Sequence, residues 1–287
     1  MPMEDYRQAL LRVDPRLSRF DPLPRIIFYD DFDQGLQGWT ELIGNYEGSL
    51  DTMLPGYRDM RGPMLSNSTM WDTGTAGSFD GTYAMKLATL PRAGALAVAL
   101  KRITWRAPGP IQLEAYFTFK PEASELQLSE LDVRAFGVLF DLQDDKERVM
   151  PHLRYLNAFE GQQTGQWQYK SKRAALEDIG ASGKTRSHFH LSPEGWEDIP
   201  GARQLLCYNE IATKQNWHYL KVRFELASRS FVTLQCNDRV YDLSAIEPMR
   251  LPAMANLWCM LNPAFWVETD LDKRAFLYID SVLLSGE

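Results

Sequence analysis

From Trp217 to Leu226, residues alternate without a break. His218, Leu220, Val222, Phe224 and Leu226 fall on one side, and Trp217, Tyr219, Lys221, Arg223 and Glu225 fall on the other. Successive side chains of a strand point to opposite faces, so this period of two predicts a half-buried β-strand. A turn at Ala227–Ser230 leads into an apolar run, Phe231–Cys236. An Asn237-Asp238 turn then leads into Arg239–Leu243. Alternating runs joined by short polar turns predict an antiparallel meander. Ile111–Lys120 repeats the pattern, with Leu113, Phe117 and Phe119 on one face and Gln112, Glu114 and Tyr116 on the other. The first set is expected in the core. Glu114, Lys221 and Arg223 are expected to keep contact with solvent.

Further strands are predicted at Arg25–Phe32, Tyr83–Leu90, Ala95–Ile103, Gln166–Lys170, Gln204–Asn209 and Phe276–Leu284. Val133–Leu142 and Met150–Phe159 form a pair around the polar turn Asp144–Glu147. Met3–Val13 reads as a short amphipathic helix stopped by Asp14-Pro15, because proline disfavours a helical residue before it. Lys172–Ile179 reads as a helical turn closed by Gly180. The chain divides into an N-terminal helix and extended arm, residues 1–24, and one β-domain, residues 25–287. Within that domain, residues 44–81 show no period and carry Tyr46, Tyr57, Trp71 and Phe79. Disordered tracts are poor in aromatics, so this long loop is expected to be an ordered excursion over one face. About a dozen short strands must stack as two sheets or close on themselves. The expectation is an all-β, two-sheet antiparallel sandwich; helix is too scarce for a parallel α/β fold.

Composition narrows the partners. The 287 residues are 45% hydrophobic and 24% charged, with a net charge of −7. Such a chain lacks the cationic field that holds phosphate backbones, which argues against nucleic acid. The three cysteines, Cys207, Cys236 and Cys259, are widely spaced beside apolar runs, so they are read as buried thiols rather than as disulfides or a zinc site. Met1–Val13 has no apolar signal core, and no run approaches the roughly 18 apolar residues of a membrane span. The expected location is the cytoplasm, with no membrane partner.

Four segments carry a resemblance. Asp31-Phe32-Asp33-Gln34-Gly35-Leu36-Gln37-Gly38-Trp39 and Gly81–Leu87 resemble the first two strands of concanavalin A-like lectin/glucanase and carbohydrate-binding jelly rolls. Trp217–Leu243 is similar to their Trp-led hairpin, and Tyr278–Val282 to their closing strand. The resemblance implies a jelly roll whose first and last strands lie side by side, and a carbohydrate ligand. It also implies a structural calcium. Asp31, Asp33 and Asp280 are the carboxylates placed to hold that ion, and hydrogen bonding to loop amides is the other account of Asp280, the one charge in an apolar strand. Retaining glucanases of this kind carry Glu-x-Asp-x-x-Glu on one strand. Here only Glu130-Leu131-Asp132 comes near it, and no second glutamate follows.

The residues suggest where a ligand would sit. His152 and Arg154 share one face of a strand, with Leu153 and Tyr155 opposite, and are expected to form a polar floor suited to a sugar acid or an array of hydroxyls. His188 and His190 also point one way and have the spacing of a metal pair, but no Glu or Cys stands at a recognised third position. Trp71 and Trp196, read as loop residues, and Tyr57 offer flat apolar area to a pyranose. The ligand site is therefore expected at Tyr57, Trp71, His152, Arg154, His188, His190 and Trp196, on a concave sheet. The leading function is carbohydrate recognition; if the protein is an enzyme, a glycoside hydrolase or lyase is meant. The rival is a structural sandwich, a homo-oligomer whose loop aromatics form the subunit interface.

Overall fold

The computed structural model describes residues 9, 12–41, 60–66, 78–121, 130–144, 147–171, 194–207, 216–253 and 260–287. Strands dominate them. In chain order they are β1 Arg25–Asp30, β2 Trp39–Thr40, β3 Met64–Leu65, β4 Met85–Ala88, β5 Leu96–Lys101 and β6 Pro110–Pro121. Then come β7 Val133–Gln143, β8 Glu147–Met150, β9 His152–Phe159, β10 Gln162–Lys170, β11 Trp196–Arg203 and β12 His218–Glu225. The last five are β13 Ser230–Cys236, β14 Arg239–Asp242, β15 Met249–Pro252, β16 Met260–Thr269 and β17 Ala275–Gly286. No helix among the described residues is long and apolar enough to cross a membrane.

The strands form two antiparallel sheets. The first has eight strands, in the order β14-β13-β12-β6-β17-β4-β3, with β1 also on β17. The second has nine, in the order β11-β10-β9-β7-β16-β5-β2, with β15 and β8 joined to β7. The chain crosses between sheets at β1→β2→β3, β4→β5→β6→β7, β11→β12, β14→β15 and β16→β17, as the chain of a jelly roll does. The first and last long strands are neighbours, with Arg25 opposite Gly286 and Asp30 opposite Val282. Met64 and Leu65, inside the long loop of the sequence, add an edge strand to β4.

Between the sheets lies one apolar core. Leu113, Phe117 and Phe119 of β6 and Leu220, Val222 and Phe224 of β12 enter it with Phe136, Val138, Tyr155, Trp167 and Phe265 from the facing sheet. The parity read from the sequence places β6 and β12 correctly, because a one-residue slip would have reversed every side chain.

Part of the outer face of the first sheet is covered. Asp14 accepts a bond from the Arg16 amide and caps a 3₁₀ turn, Pro15–Arg19. That turn lays Leu17 and Phe20 on Leu283, with Tyr116 and Tyr219 beside them. Glu114, expected at the surface, is fully buried beneath this arm. Its carboxylate accepts from the Asp21 amide at 2.8 Å, from Gln112 Nε2 at 2.9 Å and from the Tyr219 hydroxyl at 2.5 Å. The arm supplies both cover and a hydrogen-bond donor, so the carboxylate is desolvated without being left unpaired.

Other expectations change. Ala9, Arg12 and Val13 are helical, and the rest of Met3–Val13 lies outside the described residues, as does Lys172–Ile179. Gln204–Leu206 is not strand; the strand there is the preceding β11, which begins at Trp196. This strand carries Pro200 and Gly201 and among the described residues pairs only with β10, and an edge is where a sheet tolerates proline.

Candidate functional site

The outer face of the second sheet gathers what the sequence scattered. Strand register aligns Asp198 of β11, Gln168 of β10, Arg154 of β9, Gly137 of β7, Trp266 of β16 and Val98 of β5 in one row across the sheet. His152 and Arg154 point to this face together. The next turn of the pleat brings Trp196, opposite Lys170, beside them.

The row is built around a gap. A Cβ on Gly137 would stand 2.7 Å from Trp266 Cε2 and Nε1 and 2.4 Å from the Leu153 carbonyl oxygen. Only glycine leaves room for the indole to lie on the sheet there. So placed, Trp266 Nε1 donates to His152 Nε2 at 2.8 Å. A ring nitrogen that accepts carries no proton, so His152 is the neutral Nδ1–H tautomer in this arrangement. The Trp196 ring meets His152 edge-on, with centroids 4.6 Å apart, and the two indoles are 5.9 Å apart.

Arg154 crosses this aromatic pair. Its guanidinium carbon lies 4.2 Å from the Trp196 ring centroid, and its Nε donates to Gln168 Oε1 at 2.7 Å. Gln168 in turn donates from Nε2 to Asp198 Oδ1 at 2.7 Å, which fixes the amide's orientation. Burial pushes the Arg154 guanidinium down to about 9, partly offset by the charge of Glu268. It remains a cation at neutral pH. Lys170 Nζ lies 4.9 Å from the same Trp196 centroid. Burial raises the Glu268 carboxyl, while Arg134 and Arg154 pull it down; Arg134 Nη1 holds it at 3.0 Å.

Of the residues expected at a site, His152, Arg154 and Trp196 are brought together. Tyr57, Trp71, His188 and His190 lie outside the described residues. Trp196, read as a loop residue, is the first residue of an edge strand. Sequence reasoning missed Trp266, Gln168, Lys170 and Glu268. A period of two along Gln166–Lys170 does place Gln168 and Lys170 on the face opposite Trp167, so half of that signal was present.

The proposed calcium set is built differently from a cation cage. Asp280 accepts from the amides of Phe79, Asp80 and Ser281 at 2.7, 2.9 and 2.7 Å. Asp33 Oδ1 accepts from the amides of Thr82 and Tyr83, and Asp31 is paired with Arg16 at 2.6 Å. Hydrogen-bond donors thus already engage all three carboxylates, and bonding to loop amides accounts for the buried Asp280 without an ion. Among the described residues no group of three or more His, Cys, Asp or Glu is arranged to hold a metal.

Residues 7–287 match a family described as a domain of unknown function, DUF6772. The chain belongs to that family. Among curated proteins, none matches this DUF6772 chain. Solved structures similar to it include an endo-β-1,4-glucuronan lyase from the fungus Trichoderma reesei, at 9% identity over 91% of this chain and 96% of that one, with a TM-score of 0.45. Winged bean acidic lectin complexed with methyl-α-D-galactose is 8% identical over 91% and 99%, with a TM-score of 0.40. The CBM22-1 xylan-binding domain of Paenibacillus barcinonensis Xyn10C is 10% identical over 91% and 94%, with a TM-score of 0.37. Likeness at this level decides nothing about what DUF6772 does; that rests on the chain's own residues.

Proposed function

We propose that this protein recognises carbohydrate on the outer face of its second sheet. The observation that carries the reading is the Arg154–Gln168–Asp198 chain of hydrogen bonds running beside the partly exposed Trp196 indole. A pyranose offers an apolar face of C–H groups and an equatorial rim of hydroxyls. An indole matches the first, and a row of oriented donors and acceptors matches the second. Trp266 and His152 stiffen the floor beneath Trp196, so little freedom is lost when a ligand docks.

The proposal stops at recognition. Among the described residues, three carboxylates on this face are engaged: Glu268 by Arg134, Asp198 by Gln168 and Asp141 by Arg148, the last through two bonds of 2.7 Å. A glycosidase needs two carboxyl groups flanking one bond, one of them free to give or take a proton.

The test is tryptophan fluorescence and ligand-observed NMR against a panel of neutral and acidic oligosaccharides, with the Trp196→Ala variant in parallel. Binding to at least one saccharide, lost in Trp196→Ala while the fold persists, is the expected result. A panel with no binder, or binding untouched by Trp196→Ala, overturns the assignment.

A further inference from the structure

Arg154 is only 8% exposed, yet its fork is half used. Nε is bonded to Gln168, while the two terminal nitrogens meet no acceptor among the described residues. Burying a guanidinium without pairing its donors is costly. The usual remedy is a neighbouring carboxylate, and one stands on the same face. Glu268, however, is bonded to Arg134 and makes no hydrogen bond with Arg154. Asp198 accepts from Gln168 instead. The protein therefore holds a desolvated cation in place from two sides, by stacking on Trp196 and by the Gln168 bond, with its two terminal nitrogens left without an acceptor among the described residues.

We propose that the saccharide taken by this face is an acidic one, with a sugar carboxylate seated on the terminal nitrogens of Arg154. This rests on the carbohydrate reading above. A planar carboxylate matches the guanidinium fork with two parallel bonds, a geometry that a point charge such as lysine cannot reproduce. The stack on Trp196 sets where the sugar ring goes: an acid bound edge-on to Arg154 carries its ring onto the exposed part of the same indole. Lys170, near that indole, adds positive potential, and the low-dielectric setting strengthens both.

The experiment is isothermal titration of the full chain with tetrasaccharides of glucuronate and galacturonate, their methyl esters, the corresponding sulfated neutral tetrasaccharides and cellotetraose. The methyl ester keeps the sugar skeleton and removes the charge, so this comparison needs no variant. The expected result is that at least one uronate binds at least about tenfold more tightly than its own methyl ester, the scale of one charge-assisted pair. Arg154→Lys should lose most of that preference while keeping the charge. If ester and acid bind alike, or cellotetraose binds best, the acidic assignment is overturned and the carbohydrate reading stands. If the sulfated sugars bind best, the carboxylate is overturned in favour of another anion. If no saccharide binds, both readings fall together.

Discussion

Trp266 Nε1 donates to His152 Nε2 across 2.8 Å, joining β16 to β9 over the top of Gly137. The bond is buried, with His152 at 1% and Trp266 at 3% exposure. It fixes a histidine tautomer and anchors the floor under Trp196 at once. Trp266→Phe keeps an aromatic ring but deletes the pyrrole and its N–H donor, leaving an imidazole nitrogen without its partner. A loss of about 1–3 kcal/mol is expected from urea unfolding, as for other orphaned buried acceptors. Nitrogen-15 NMR of the wild type should show His152 as the Nδ1–H tautomer, and an Nε2–H signal would contradict the assignment.

Gly137→Ala should be worse than its single methyl suggests. The new Cβ meets the Leu153 backbone oxygen and the Trp266 ring inside contact distance. Backbone cannot swing aside as a flexible side chain does, so a cost of about 1–3 kcal/mol or more is expected. The variant should also weaken saccharide binding, because it tilts the indole. A crystal structure with Trp266 unmoved would refute the seating argument.

Strand positions and their inward faces were largely legible in the sequence, because period two is written locally and the core enforces it. Phe224 illustrates this: its alternation predicts burial and it is fully buried. What the sequence hid lies between elements distant along the chain. Glu114 reads as a surface residue because its face is polar, and nothing near it in sequence reveals the arm that covers it. Trp266 and His152 are separated by more than a hundred residues, and neither shows the other. β16 itself was missed, since Asn262 and Pro263 break its apolar run at one end. Trp196 was legible as a candidate ligand contact but not as a strand residue, since Pro200 and Gly201 disguise the strand it opens.

Phe224→Ala removes a ring that packs edge-on against Phe231 at 5.7 Å between centroids. A loss of about 3–5 kcal/mol is expected from chemical denaturation, the range for core phenylalanine truncation. A cost under about 1 kcal/mol would show that the β12 register is wrong by one.

Glu114→Ala strips acceptors from Tyr219, Gln112 and the Asp21 amide together. Each orphaned donor costs on the order of 1–3 kcal/mol, and the three share one site, so their sum is an upper bound. The arm should loosen first, and hydrogen exchange at the Asp21 amide should accelerate ahead of exchange in β12. Equal acceleration across the sandwich would argue against a separately held arm.

Asp280 gives a pH dependence with a definite sign. Burial pushes its carboxyl up to about 7, against three amides that pull it down. A carboxyl raised in the folded state favours folding most fully below its unfolded value of about 4, and that contribution is lost as pH rises through about 7. Stability should therefore fall over that window, by at most about 1.4 kcal/mol per pH unit from this group. Asp280→Asn should flatten the slope. Carbon-13 titration of the side chain is the direct check, and a midpoint near 4 would contradict the shift.

The glycine beneath Trp266 also bears on how the second sheet finds its alignment. β7 and β16 come from opposite halves of the chain and must meet late, after a long loop closes. Sliding β16 by two residues would keep its apolar side inward, so the core alone does not forbid the error. It would, however, set the indole on Ala135 or Leu139 rather than on Gly137. Both carry a Cβ where the ring must lie, and the misaligned sheet could not close flat. One missing methyl group thus acts as a notch that a single bulky tooth fits, and it proofreads strand register where hydrophobicity cannot.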